Sequence, residues 1–237
     1  MPLARWSIAP AFLVLAACGQ EPADDGLVTV DPATTQAPPA PEAPVSGPER
    51  RILAFGDSLF AGYGLRPESS YPALLEAELR SRGINARIVN AAVSGDTSVA
   101  GAQRLAFALD AQDPPPDLVL LELGGNDMLR SLPVEQTRAA FETMLGELKK
   151  RGIPVAIMGM RAAPNLGADY ARAFDALYPE LAKEYGAVLV PFWLETIYRR
   201  PELFQADRIH PTREGIAMLV EATADEVAAA LPPAGQP

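Results

Sequence analysis

Arg51-Ile52-Leu53-Ala54-Phe55-Gly56-Asp57-Ser58-Leu59 sets the architecture of this 237-residue chain. A short apolar run closed by a glycine predicts a strand buried on both faces, the pattern of a parallel sheet. Tyr71–Arg82 then places apolar residues at helical spacing, with Pro72 in the first turn. The alternation repeats along the chain. Ala86–Asn90, Leu118–Leu123, Val155–Met160 and Ala187–Val190 read as strands, separated by helical stretches at Val99–Leu109, Val134–Arg151 and Ala168–Glu184. Thr212–Ala230 reads as a closing helix. Strands alternating with helices imply crossover connections and a sheet covered on both sides. The expected fold is therefore α/β, a three-layer flavodoxin-like sandwich around a five-stranded parallel sheet.

That fold fixes where chemistry can sit, because ligands of open parallel sheets bind beyond the carboxyl ends of the strands. Ser58 follows the first strand there, Gly95 the second and Asn126 the third, and His210 stands in the loop before the last helix. A serine hydroxyl needs a base within reach and donors aimed at the oxyanion it creates. Ser58 offers the hydroxyl and its own backbone N–H. Gly95, in Ser94-Gly95-Asp96-Thr97, offers a second N–H close to a ligand, and Asn126, after two glycines, offers a carboxamide. His210 is the only histidine of the chain, so any serine–histidine mechanism must use it. An imidazole has an ordinary pKa of about 6.5, suited to taking and returning a proton. Asp207, three residues earlier, can accept the other ring N–H and fix the tautomer. Each motif alone also reads as a cap, an Asx-turn or a plain turn. Their joint placement at one sheet edge favours ester hydrolysis. Asp57, Asp96 and Asp127 are assigned to turn structure.

Composition narrows the field. The chain is 49% hydrophobic, enough for a core, and its formal net charge of -10 argues against a nucleic-acid partner. One histidine and one cysteine leave no apparent metal site, and Gly62-Tyr63-Gly64 lacks the lysine and third glycine of a phosphate loop. No cofactor and no protein partner are implied.

The first residues read as an export signal: Arg5, then an apolar run from Ile8 to Ala17, too short to span a bilayer. Leu15-Ala16-Ala17-Cys18-Gly19 resembles the bacterial lipobox, which implies acylation of Cys18, the only cysteine, after cleavage. Gly19 after it resembles sorting to the outer membrane. From Gln20 to Pro48 the chain is rich in Pro, Ala, Glu, Asp and Thr without an aromatic residue, and reads as a tether. Such a tether reaches roughly 30 Å as a coil and about 90 Å as stretched polyproline. The expected organisation is a signal over 1–17, lipidated Cys18 and tether over 18–48, a folded domain over 49–231 and a tail over 232–237. The expected location is the bacterial cell envelope, facing the periplasm from a membrane anchor.

The four segments around Ser58, Gly95, Asn126 and His210 resemble those of the SGNH or GDSL hydrolases, over about Arg51 to Ala230. Leu121 to Asp127 with Leu129-Arg130, and Met160-Arg161 with Asn165, resemble the bacterial thioesterase I, lysophospholipase and arylesterase branch. The resemblance implies Ser58 as nucleophile, His210 as base and Asp207 as its orienter. It also implies an oxyanion hole from the Ser58 and Gly95 N–H groups with the Asn126 side chain, and an acyl pocket lined by the loop after Asn126. Substrates would be small acyl esters, thioesters or lysophospholipids. A carbohydrate O-acetylesterase is the alternative enzyme, and a non-catalytic lipid-anchored binding protein the alternative of another class.

Overall fold

The computed structural model describes residues 45–233. The expected signal, Cys18, most of the tether and the end of the tail lie outside the described residues. Five strands form one parallel sheet: β1 (Arg50–Gly56), β2 (Ala86–Asn90), β3 (Leu118–Glu122), β4 (Val155–Met158) and β5 (Val188–Val190), in the order β2-β1-β3-β4-β5. Every residue of β3 and β4 is buried, as apolar runs broken only by Glu122 predict, whereas the edge strands β2 and β5 keep exposed positions. β4 stops two residues short of Met160 because its pairing with β5 ends at Met158 and Val190.

Among the described residues seven α-helices flank the strands: α1 (Ser58–Ala61), α2 (Tyr71–Ser81), α3 (Ser98–Asp110), α4 (Gly125–Leu129), α5 (Val134–Arg151), α6 (Ala168–Tyr185) and α7 (Arg213–Ala230). α2 packs on α7 in one layer, while α3 packs on α5 and α5 on α6 in the other. The short α1 and α4 go beyond the sequence expectation, since four or five residues are too few to display a helical period. Both carry site residues.

The core explains why α1 holds its place. Phe60 stacks on Tyr71 with ring centroids 5.0 Å apart, and Trp193 meets both rings edge-on. Such aromatic contacts add about 0.5–1.5 kcal/mol each beyond area burial. Tyr71 Oη and Thr223 Oγ1, 2.7 Å apart, join α2 to α7. The turn that starts α1 therefore rests on packed rings.

Candidate active site

β1 ends at Gly56 and the chain turns at once into α1. Asp57 caps that helix, its Oδ1 accepting the Leu59 N–H at 3.0 Å. Ser58 is thus the first helical residue, with its hydroxyl at the carboxyl edge of the sheet. Ser58 Oγ lies 2.8 Å from His210 Nε2, and His210 Nδ1 lies 2.7 Å from Asp207 Oδ2. An ionised carboxylate only accepts, so Nδ1 carries the ring hydrogen and Nε2 is left to accept from the Ser58 hydroxyl.

The turn 207–210 is built around the Asp207 carboxylate. Its other oxygen accepts the backbone N–H groups of Ile209 at 2.9 Å and His210 at 3.0 Å, while Arg208 takes a left-handed φ of 59°. The hydrogen bond from His210, then the backbone bonds, hold the Asp207 carboxyl down at about 2. It is ionised throughout the neutral range. Tyr63 covers the imidazole with a ring centroid 4.4 Å away, and Gln205 Nε2 donates to Tyr63 O at 2.7 Å and to Pro211 O at 3.0 Å. The base is thus fixed by its own turn and by the loop after α1.

Gly95 and Asn126 complete the constellation. Gly95 has a φ of 89°, a region that disfavours a Cβ, and its carbonyl accepts from Arg130 at 3.0 Å. Asn126, on α4, donates through Nδ2 to Asp57 Oδ2 and to the Asp96 carbonyl, both at 3.0 Å. The loop bearing Gly95 is clamped by Arg104, which pairs with Asp96 at 2.5 Å and reaches the carbonyls of Ala91 at 2.6 Å and Gly56 at 3.0 Å. Ser58, Gly95, Asn126 and His210 all line one cavity of about 720 Å³, as do Met128 and Leu129 from the segment after Asn126. Asp207 stands behind His210.

The three aspartates assigned to turns do more than that. Asp96 binds Arg104. Asp127 is buried and accepts from the Ser98 backbone at 2.8 Å, the Ser98 hydroxyl at 2.5 Å and the Thr137 hydroxyl at 3.1 Å, tying α3, α4 and α5 together. Asp57 holds Asn126, and burial pushes its carboxyl up to about 6. Glu122, which sequence reasoning passed over, lies fully buried beside it and accepts the Asp57 N–H at 3.2 Å. Burial first, then the Asp57 charge, push the Glu122 carboxyl well above its ordinary range. A glutamate inside an otherwise apolar run was the available signal. Tyr63 and Arg130 gave none, since their partners His210 and Gly95 are distant in sequence.

A parallel sandwich carrying this site at the strand ends is an ester hydrolase of the SGNH class. The chain belongs to the GDSL-like lipase/acylhydrolase family, whose profile matches residues 54–218. It is 40% identical over 163 residues to thioesterase 1/protease 1/lysophospholipase L1 of Escherichia coli strain K12, covering 69% of this chain and 76% of that one. It is 38% identical over 177 residues to an arylesterase of Vibrio mimicus, covering 75% and 88%. Among solved structures, AlinE4, an SGNH-hydrolase family esterase, is 58% identical over 79% of this chain and 99% of its own, with a TM-score of 0.67. The five-stranded parallel sheet expected from the sequence is the one found.

Proposed function

We propose that this protein is a serine esterase that works through an acyl-enzyme at Ser58, on esters with an apolar acyl group. The hydrogen-bonded series Ser58–His210–Asp207, opening on the cavity, is the observation that carries this reading. Ser58 Oγ adds to the ester carbonyl carbon as its proton passes to His210 Nε2. The carbonyl electron pair moves onto oxygen, where the N–H groups of Ser58 and Gly95 and the Asn126 carboxamide receive it. When the pair returns, the bond to the leaving oxygen or sulfur breaks and His210 returns the proton to it. Water repeats the sequence on the acyl-enzyme, releasing the acid and restoring Ser58. Asp207 stabilises the imidazolium at both stages.

Met128, Leu129, Phe192 and Leu194 give the cavity apolar walls, which suit acyl chains better than sugar hydroxyls. This supports arylester, thioester or lysophospholipid substrates, in keeping with the names of the relatives, over acetylated carbohydrate. Ser58→Ala should stay folded and lose at least ~10³-fold in kcat/KM. A fluorophosphonate should label the wild type once, at Ser58. Full activity in the variant, or a label elsewhere, refutes the mechanism. A chain-length series of p-nitrophenyl esters run beside acyl-CoA and acetylated xylan then separates the substrate classes.

The same proposal places the hydrolase domain over 49–231 on a tether ending at an acylated Cys18, facing the periplasm from the outer membrane. The lipobox-like Leu15-Ala16-Ala17-Cys18 supports it. A multiply acylated terminus anchors stably where a single chain does not. Metabolic labelling with a palmitate analogue tests it: label lost in Cys18→Ser supports the anchor, and an unlabelled wild type overturns it.

A further inference from the structure

Two carboxyl groups lie under the site that the reaction leaves unused. Glu122, at the end of β3, is fully buried, and Asp57 is 1% exposed. β1 makes room for the first through Gly56, where a Cβ would stand 2.7 Å from both the carbonyl oxygen and Oε2 of Glu122. Glu122 Oε2 accepts the Asp57 N–H, and Oε1 has no hydrogen-bond partner among the described residues. The negative charge of Asp57 disfavours a second one on Glu122. No lysine or arginine among the described residues forms an ion pair with either: Arg104, which reaches the neighbouring Gly56 carbonyl, spends its charge on Asp96.

Two buried carboxylates this near each other do not both ionise without a cation. The hydrogen bonds decide which one keeps a proton. Asp57 receives two N–H donors, from Leu59 and from Asn126, whereas Glu122 receives only one. An ionised Glu122 would leave a charged Oε1 with no donor at all. The negative charge therefore belongs on Asp57 and the proton on Glu122.

Asn126 Nδ2 carries two hydrogens, and both are already donated, one to the Asp57 carboxylate and one to the neutral Asp96 carbonyl. Charge-assisted bonds are roughly twice as strong as neutral ones. The hydrogen on Asp57 therefore stays and fixes the plane of the amide, and the other, on the weaker Asp96 carbonyl acceptor, is the one that a developing oxyanion beside it shares.

We propose that Glu122 and Asp57 form a buried acid pair carrying a single negative charge, and that this pair is a positioning device that aims the Asn126 carboxamide at the oxyanion. The inference rests on the serine-esterase reading. Asp57 acts through Asn126 and touches no reacting atom. Glu122 keeps the charge single by holding its proton beside Asp57.

The test uses the full-length protein, a soluble p-nitrophenyl ester and infrared spectroscopy. The wild type should show a carboxylic-acid C=O band that persists at pH 8 and is missing in Glu122→Gln. Asp57→Asn should lower kcat by about 30-fold or more while KM stays within about threefold, part of the roughly 10²–10³-fold that a lost oxyanion donor costs. In an Asn126→Ala background the same Asp57→Asn change should cost under about threefold, because its target is gone. Glu122→Gln, which keeps a neutral side chain of the same shape, should cost less than about fivefold. A missing band, or losses at Asp57 and Asn126 that simply multiply, overturns the proposal. The band reads out even if Asp57→Asn fails to fold. An active Ser58→Ala would instead sink the esterase mechanism beneath it, so the two failures are distinguishable.

Discussion

Replacing Asp207 by asparagine changes one atom, and the surroundings of that atom allow its cost to be worked out. Asp207 Oδ1 accepts two backbone N–H groups and Oδ2 accepts His210 Nδ1–H. The asparagine has one oxygen and one amide nitrogen to serve three donors. If the oxygen keeps the two backbone bonds, the NH2 faces Nδ1 and forces the ring hydrogen to Nε2. His210 then donates to Ser58 and is no base. The opposite orientation keeps the reactive tautomer but turns the NH2 against two backbone donors. At about 1 kcal/mol per lost bond this costs roughly 2 kcal/mol, so about one molecule in thirty holds the reactive form. Even there the imidazolium forms without its counter-charge, worth roughly 2 kcal/mol more. The sum of about 4 kcal/mol corresponds to a kcat about 10³-fold lower with KM little changed. Steady-state hydrolysis of p-nitrophenyl butyrate measures it. A loss under tenfold would refute the argument that Asp207 sets the tautomer.

Gly124→Ala should destabilise the domain by about 2–4 kcal/mol, because φ is 99° and the new Cβ would stand 2.2 Å from Tyr178 Oη, which itself donates to the Leu123 carbonyl at 3.1 Å. Thermal unfolding should show a Tm lower by roughly 5–15 °C, and an unchanged Tm would mean the loop tolerates the methyl. Arg104→Met should lower stability by about 1–3 kcal/mol and also reduce kcat, since the loop bearing Gly95 loses three anchors. A stability loss with kcat intact would separate that clamp from the oxyanion site. Burial raises both Asp57 and Glu122, so the folded chain holds these protons to higher pH than the unfolded chain, whose carboxyls titrate near 4. The native state therefore binds more protons from about pH 4 to pH 6 for Asp57, and further up for Glu122, and the pair's contribution to stability falls as pH rises through that window. Glu122→Gln should flatten the fall in Tm between pH 5 and pH 8, and an equal or steeper fall would reverse the assignment.

The sheet was legible because its central strands are buried on both faces and therefore read as continuous apolar runs, and β2 and the helix over Val134–Arg151 fall where the pattern ends. The convergence of Ser58, Gly95, Asn126, Asp207 and His210 was legible because each stands just beyond a strand or in the turn before the last helix, which Thr212 caps. What lay hidden shares one cause: partners far apart in sequence. Glu122 meets Asp57 across 65 positions, and Asp127 meets Ser98 across 29. Periodicity reports which face of an element is buried, not which polar atoms face each other in the interior. The same limit hid the ring of Tyr63 over His210.

That ring has a spectroscopic consequence. His210 is the chain's one imidazole, and it lies 4.4 Å from the Tyr63 ring while bridging Ser58 and Asp207. Protein grown on isotopically labelled histidine would give a single set of imidazole resonances, with no assignment needed and with ring-current displacement from Tyr63 marking the native site. Tautomer, proton occupancy and acylation at Ser58 would each move that one signal, so the reaction could be followed at its base from the resting enzyme to the acyl-enzyme and back.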